Sequence, residues 1–262
     1  MRALLKDFVR KHLSWLGRLF AYLPSSHYLL LSTLFFVGLE LVVILHRWVW
    51  VITAAMLLLM VYGIILVRYE ERRQFRPSQA VLPIMAAIGL TGFTFFLPPT
   101  PLLHLYFTLA GVLLYTILRH GAKRAYPNWN WTASFVVYFL NVAMILGLRW
   151  HLSLPLMATI VLVLLVSVLL SGQALRRVAP SKVHVALLAL ALSLALAELV
   201  WVIQFLPLHF LVQAGILVIS YYVLFHMLVL SLEHRLHRRE ALEYLIFGLF
   251  SLVLLLTTAE WI

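Results

Sequence analysis

Long apolar runs separated by short polar or basic segments dominate the chain beyond residue 27. Each run has 17–23 residues, and a helix of about 20 residues, rising 1.5 Å per residue, crosses the hydrocarbon core of a bilayer. The runs do not alternate apolar with polar positions as barrel strands do, so they predict helices. We predict nine spans, at residues 28–45, 48–67, 78–97, 102–118, 131–148, 153–172, 183–204, 208–230 and 241–260.

The composition requires lipid as the solvent for these helices. Hydrophobic residues make up 64% of the chain, charged residues 11%, and the mean hydropathy is +1.02. Soluble domains carry about 45–50% apolar and about 25% charged residues. The predicted fold class is therefore all-α: a polytopic transmembrane helix bundle.

The first 24 residues have a different pattern and form a predicted unit of their own. Apolar positions recur at helical spacing on one face, and basic residues occupy the other. Such a basic amphipathic helix is suited to an anionic membrane surface. We predict that residues 1–24 form a surface helix, with anionic lipid headgroups as partners of residues 1–23, and that residues 28–262 form the bundle. A helix that docks a partner protein has the same pattern, and that alternative stays open.

The basic residues predict how the spans are oriented. The net charge is +11, and 18 of the 20 Lys and Arg residues lie in the N-terminal segment or in the loops after spans 2, 4, 6 and 8. By the positive-inside rule these regions are cytoplasmic, which puts the N-terminus in the cytoplasm and the C-terminus outside. The expected location is a cell membrane, which the chain crosses several times. Arg47 and Arg149 are the two basic residues left in outer turns. No nucleic-acid-binding motif accompanies the charge, so nucleic acid is not an expected partner.

The hairpins show signs of repetition. The first and third carry a polar residue shortly before an Arg-Trp pair, and the second and fourth carry Phe-Leu-Pro at the turn. These cues predict a parallel duplication of four spans, followed by a ninth. Such duplications are common in transporters, although proteins with no transport function also contain them.

Several kinds of chemistry lack the residues they need. The chain has no cysteine, which excludes disulfides, thiol catalysis and Cys-ligated zinc. It has no metal-binding His spacing and no Gly-rich phosphate loop. The sequence therefore predicts no cofactor, no metal site and no catalytic residue. Beside the basic loop, Glu243 is expected only to complement its helix N-terminus, and His226 is expected to hydrogen-bond within the bundle.

Polar residues within the spans are the best candidates for a binding site. A carboxylate at the bilayer centre costs on the order of 2.5–3.5 kcal/mol and usually faces a bundle interior. Glu40 and Glu198 each lie about five residues, roughly 8 Å, inside the outer end of a span. Asn141 lies at a similar depth, and Trp201 is one turn from Glu198. We predict a substrate- or ion-binding site of Glu40, Asn141, Glu198 and Trp201. The alternative is that each group snorkels or pairs locally at the interface.

The C-terminal quarter resembles a known group of proteins. The pattern comprises Glu198-x-x-Trp201, Pro207, Tyr221-Tyr222, Glu243-Tyr244 and Thr257-Thr258-Ala259-Glu260-Trp261. It is similar to uncharacterised polytopic membrane proteins of candidate-phylum bacteria. The resemblance implies a bacterial origin and transfers no activity.

Two function classes compete on this evidence, with a third behind them. The favoured class is a transport or small-solute or ion-binding protein with an outward-facing polar site. The second is a structural or assembly subunit of a membrane complex. An intramembrane lipid-processing enzyme ranks last because the sequence has no visible nucleophile–base pair. Convergence of Glu40 and Glu198 in one cavity would favour the first class.

Overall fold

The structure is a computed structural model that describes residues 27–70, 78–98, 100–122, 127–176, 178 and 181–259. The surface helix predicted for residues 1–24 lies outside this part of the chain. A short 3-10 helix at His46–Trp48 joins the first two α-helices. The described residues form nine α-helices: α1 (His27–Ile44), α2 (Val49–Glu70), α3 (Ser78–Thr94), α4 (Pro101–Ala122), α5 (Pro127–Leu152), α6 (Leu156–Leu175), α7 (Lys182–Ile203), α8 (Phe210–Leu232) and α9 (Arg238–Thr258).

Each of these helices coincides with one of the nine predicted apolar spans, which confirms the all-α fold class. Seven are long and apolar enough to cross a membrane by length and composition, namely all except α2 and α3. The apolar parts of those two are shorter, at Val49–Ile65 and Ala80–Thr94. The chain is thus a multi-pass membrane protein.

The end of α3 shows where hydropathy alone misplaces a boundary. The apolar run continues to Leu97, but the helix ends at Thr94. The next three amides donate to carbonyls three residues back, from Phe95 to Gly92 through Leu97 to Thr94. The chain therefore tightens into 3-10 turns just before Pro98. The predicted span at 78–97 is three residues too long at this end.

The helices pack in two sets of four. In the first set α1 contacts α2 and α4, and α3 contacts the same two helices. In the second set α5 contacts α6 and α8, and α7 contacts the same two. The sets join where α3 and α4 meet α5 and where α3 meets α6, while α9 packs against α8. The two sets thus have the same order of neighbours.

Burial differs sharply between the central and peripheral helices. In α5, 61% of the apolar window is buried, whereas the figure for α9 is 6%. In a membrane protein the remaining apolar surface of α9 suits lipid. The helix α5 joins the two sets, because it belongs to the second set and contacts α3 and α4 of the first.

Contacts between the connecting turns place them at one end of the bundle, which we call the turn end. The hydrogen bond from Arg149 to Gln204 joins the last two of these turns. Ring contacts join successive turns: Trp50 with Phe95, Phe96 with His151, and Trp150 with His209. The opposite end, where α8 turns into α9 through Arg235, is called the basic end because the helix ends there carry described basic residues, among them Arg119, Arg176, Lys182, Arg235, Arg238 and Arg239.

Candidate functional site

Glu40 forms a pair at the turn end. Its Oε1 atom lies 3.0 Å from His104 Nδ1, so the contact joins α1 to α4. The Glu40 side chain is 24% exposed and that of His104 is 65% exposed. Ion pairs this open to the surroundings contribute little, about 0–1 kcal/mol. The pair is the local interfacial arrangement that the sequence left open as an alternative.

Asn141 lies in the interior and joins two helices. It is fully buried, and its Nδ2 atom donates to Met85 O of α3 and to Val137 O of its own helix, both at 2.8 Å. Gly89 permits this approach, because a Cβ atom there would lie 2.7 Å from Asn141 Nδ2. Asn141 Oδ1 has no hydrogen-bond partner in the described structure. The side chain therefore holds α5 to α3.

Glu198 and Trp201 lie together on the exposed side of α7. Trp201 is 52% exposed and its ring contacts Phe205 edge to face, with 5.6 Å between centroids. Glu198 is also exposed. The helix α7 packs against α6 and α8, whereas α1 packs against α2 and α4.

The four predicted residues therefore have three different surroundings. Within the described residues, no hydrogen bond or ion pair links Glu198 or Trp201 to Glu40 or Asn141. A cavity at the turn end, described below, is lined by other residues. Similar depth along the helix axis does not place side chains together, because helices on different sides of a bundle share the same depth.

A partly buried polar network occupies the turn end between α5, α7 and α8. Arg149 Nε donates to Gln204 Oε1 at 2.5 Å, and Arg149 Nη1 donates to Leu154 O at 2.9 Å. Gln204 Nε2 donates to Gln213 Oε1 at 2.8 Å, and Gln213 Nε2 donates to Leu208 O at 2.9 Å. The network holds the guanidinium group against two turns at the turn end, the one between α5 and α6 and the one between α7 and α8.

Local backbone structure places Arg149 at this point. The residue lies in the last turn of α5, where a cation complements the carbonyl end of the helix dipole. Ser153 then adopts a positive φ of 54°, and the chain reverses into α6 with Leu154 O pointing back to the arginine. The turn and the side chain thus position each other.

A cavity of about 510 Å³ opens beside the network. A guanidinium has five N–H donors, and two of those on Arg149 have protein acceptors, which leaves three. Among the described residues, Arg149 is the charged side chain that lines the cavity. The lining residues are Leu146, Arg149, Trp150, Ser153, Leu154, Pro155, Gln204, Leu206 and Gln213.

The sequence contained a signal for this network. Arg149 is one of two basic residues left in the outer turns, and Gln204 and Gln213 are amides at the ends of apolar spans. The positive-inside count treats Arg149 as an exception. A basic residue that departs from this rule is itself a signal of a local function. Arg47, the other exception, is exposed.

No group of three or more His, Asp or Glu side chains in the described part of the chain is arranged to hold a metal ion.

The fold defines the class: a polytopic helical membrane protein with a polar cavity at the turn end. The chain belongs to the family described as "Protein of unknown function (DUF5656)", whose model matches residues 32–258. No curated protein and no solved structure matches the chain.

Proposed function

We propose that the protein binds a small anionic solute at the turn end of the bundle, as a transport or solute-binding protein. The observation that carries this proposal is Arg149, held by Gln204 and Leu154 with three N–H donors left at a cavity. An arginine fixed in this way is preorganised for a carboxylate or phosphate group, which it can contact through two parallel hydrogen bonds.

The surroundings of Arg149 support an anion over a cation. The cavity carries one guanidinium, two amides and a serine, and none of its lining residues is acidic. Its volume of about 510 Å³ falls in the range of small-molecule sites. Trp150 and Leu146 add apolar wall, which suits a solute with a short hydrocarbon part.

The arrangement of the helices supports a transport function. Both sets of four helices have the same order of neighbours, which is the pattern expected from the duplication indicated by the sequence. Transporters are often built from such repeats. We propose nine membrane spans in two repeats plus α9, with the turn end outside.

The orientation has a direct test, because the chain has no cysteine. Thr100→Cys lies at the turn end and His234→Cys at the basic end. In intact cells an impermeant thiol reagent should label the first and not the second. Labelling of His234→Cys alone would reverse the orientation.

The proposed function is tested with full-length protein in detergent, titrated with acetate, succinate and phosphate. At least one anion should bind saturably to the wild type, and Arg149→Gln should weaken it about ten- to hundredfold, since a hydrogen bond to a charged group contributes about 1.5–3 kcal/mol. The matched control is Arg47→Gln, in the exposed turn between α1 and α2, which should leave affinity unchanged. An equal loss in both variants, or no saturable binding to the wild type, would refute the proposal.

The second candidate is a structural or assembly subunit of a membrane complex. The helix α9 favours this second candidate, because it packs against α8 and, within the described part of the helix, Gly248 is the one buried residue. Lipid alone is enough to cover that surface, so we rank this candidate second. Copurification of a stoichiometric partner that α9 variants release, with no anion binding, would favour it.

A further inference from the structure

A second cavity, of about 710 Å³, lies at the basic end between α5, α8 and α9. Each of these helices gives it aromatic side chains spaced one turn apart, which places them on one face of the helix. Six of the thirteen lining residues carry aromatic rings, and we call this the aromatic cavity. The rings are Trp131 and Phe135 from α5, Tyr222 and His226 from α8, and Tyr244 and Phe247 from α9.

His226 lies at the centre of these rings. Its imidazole is 4.4 Å from the Tyr222 ring and stacks on Tyr244 at 5.1 Å with an interplanar angle of 14°. The ring of Phe135 lies 5.6 Å from it, and that of Trp131 lies 6.0 Å from it. Three helices are therefore held by ring contacts at this point.

The acidic residues of the aromatic cavity outnumber its basic ones. Glu233, Glu240 and Glu243 line it, with Arg235 as the one cationic side chain, although the chain as a whole carries +11. Two of these acids have weak partners. Glu233 lies 3.8 Å from Arg235, and the pair of Glu243 with Arg239 is open to the surroundings.

Glu240 is the acid without a partner. Its Oε2 atom is buried and accepts no hydrogen bond in the described structure. The residue lies in the first turn of α9, where the helix dipole favours a negative charge. Its carboxylate does not accept the backbone N–H of the N-cap residue His237, because that N–H donates to Arg235 O instead. A buried carboxylate oxygen with no donor is costly, and a donor on a ligand would relieve that cost.

We propose that the aromatic cavity binds an organic ammonium group. Faces of Trp, Tyr and Phe attract cations, and Glu240 offers an acceptor and a counter-charge. The aromatic wall discriminates against Na⁺ and K⁺, which keep their water, and favours a cation that carries carbon. This site lies at the opposite end of the bundle from Arg149 and does not depend on the proposed function.

The ammonium group has two sources, a free amine or the headgroup of a lipid. The aromatic cavity runs along the first turns of α9 from Glu240 to Phe247, about 10 Å of helix. That depth fits a headgroup at the interface as well as a soluble amine. Both present the same ammonium group, so the experiment uses a separate titration to distinguish the two sources.

The experiment titrates full-length protein in lipid-free maltoside micelles with tetramethylammonium, ethanolamine or NaCl at matched ionic strength, and records heat of binding. The wild type should bind both organic cations saturably and show no saturable response to NaCl. Tyr244→Leu removes an aromatic face and should weaken both about tenfold, because the cation–π attraction of that ring is lost.

Glu240→Gln separates the carboxylate from the rings. It should weaken ethanolamine, which donates N–H groups, more than tetramethylammonium, which has none to donate. The matched controls are Glu198→Gln, an exposed acid on α7, and Phe250→Leu, an exposed aromatic residue on α9. Both should bind like the wild type.

The second arm adds dihexanoyl-phosphatidylcholine or dihexanoyl-phosphatidylethanolamine below its micelle concentration. Displacement of tetramethylammonium by either lipid assigns the headgroup as the source, and no displacement assigns a free amine. A saturable response to NaCl equal to that of the organic cations would overturn the proposal. So would equal affinities of the Tyr244→Leu and Phe250→Leu variants, measured on protein whose unliganded melting temperature shows it to be folded.

Discussion

The two ends of the bundle carry cavities of opposite character. At the turn end, Arg149 and the amides of Gln204 and Gln213 line a cavity that has no acidic side chain among the described residues. At the basic end, three glutamates and a set of rings surround a cavity with one arginine. Each local charge is opposite to the trend of the sequence around it, since basic residues are rare near the turn end and abundant near the basic end.

The comparison separates the charges that orient the helices in the membrane from the charges that form a binding site. Basic residues in the loops are sufficient to orient the spans, so they say little about a site. A charge against the local trend has no such explanation, and its burial must be compensated by specific partners. Arg149 and Glu240 are charges of this kind that line cavities, and Glu240 differs from Glu233 and Glu243 beside it because those two have arginine partners. Both proposals rest on Arg149 and Glu240 for this reason.

The largest expected effect is on stability at the turn end. Arg149→Leu removes two hydrogen bonds from a partly buried guanidinium and leaves Gln204 Oε1 without that donor. The free energy of unfolding should fall by about 1.5–3 kcal/mol, measured by denaturant titration in mixed micelles. Arg47→Leu should change it by less than about 0.5 kcal/mol. Equal losses would mean that the network adds nothing to the fold.

A steric change at the basic end should separate the two cavities. A Cβ atom at Gly248 would lie 2.5 Å from Val223 Cγ2, and a valine side chain is too stiff to move away freely. Gly248→Ala should push α9 from α8, cost about 1–3 kcal/mol and weaken tetramethylammonium binding, with anion binding unchanged. Gly172→Ala is the control, since its Cβ would meet Ala189 at 3.8 Å. Loss of anion binding in Gly248→Ala would show that the ends are not independent.

Asn141 lies on α5 between the two cavities and tests their coupling. Asn141→Leu removes the hydrogen bond to Met85 O and should lower stability by about 1–2 kcal/mol, the range for interhelical hydrogen bonds in membranes. Both ligand affinities should stay within about twofold of the wild type. Ser193→Ala, whose hydroxyl bonds within its own helix, is the control. Selective loss of anion binding would return Asn141 to the site that the sequence predicts.

The smallest effect is expected at Glu40. Its pair with His104 is open to the surroundings, so Glu40→Gln should change stability by less than about 1 kcal/mol and leave both affinities unchanged. Isothermal titration with each ligand checks the two affinities, and denaturant titration checks the stability. A tenfold change in either affinity would restore Glu40 as a binding residue.

The fold followed from the sequence more closely than the candidate site did. Hydropathy over about 20 residues identifies a helix without any knowledge of its neighbours, so each predicted span corresponds to a helix in the structure. Its ends depend on local bonding, as the 3-10 turns after Thr94 show. The packing partner of a helix is set by shape, as at Gly89 and Asn141, and the linear pattern carries little of that information.

The candidate site depended on this missing information. Glu198 and Asn141 have matching depth in the sequence, yet one is exposed and the other buried, because depth does not fix the direction a side chain faces. The helical spacing of Glu240, Tyr244 and Phe247 was visible in the sequence. Its meaning required the facing residues of α5 and α8. The predicted binding role of Glu40, Asn141, Glu198 and Trp201 stays a prediction.

The most direct test of the two-cavity account crosses two variants with two ligands. Wild type, Arg149→Gln and Glu240→Gln are each titrated with the best anion and with ethanolamine, in the same micelles and at the same ionic strength. The account predicts that Arg149→Gln loses the anion and keeps ethanolamine, while Glu240→Gln does the reverse, each loss being about tenfold or more. Loss of both ligands in either variant, or of neither ligand in both variants, would contradict it.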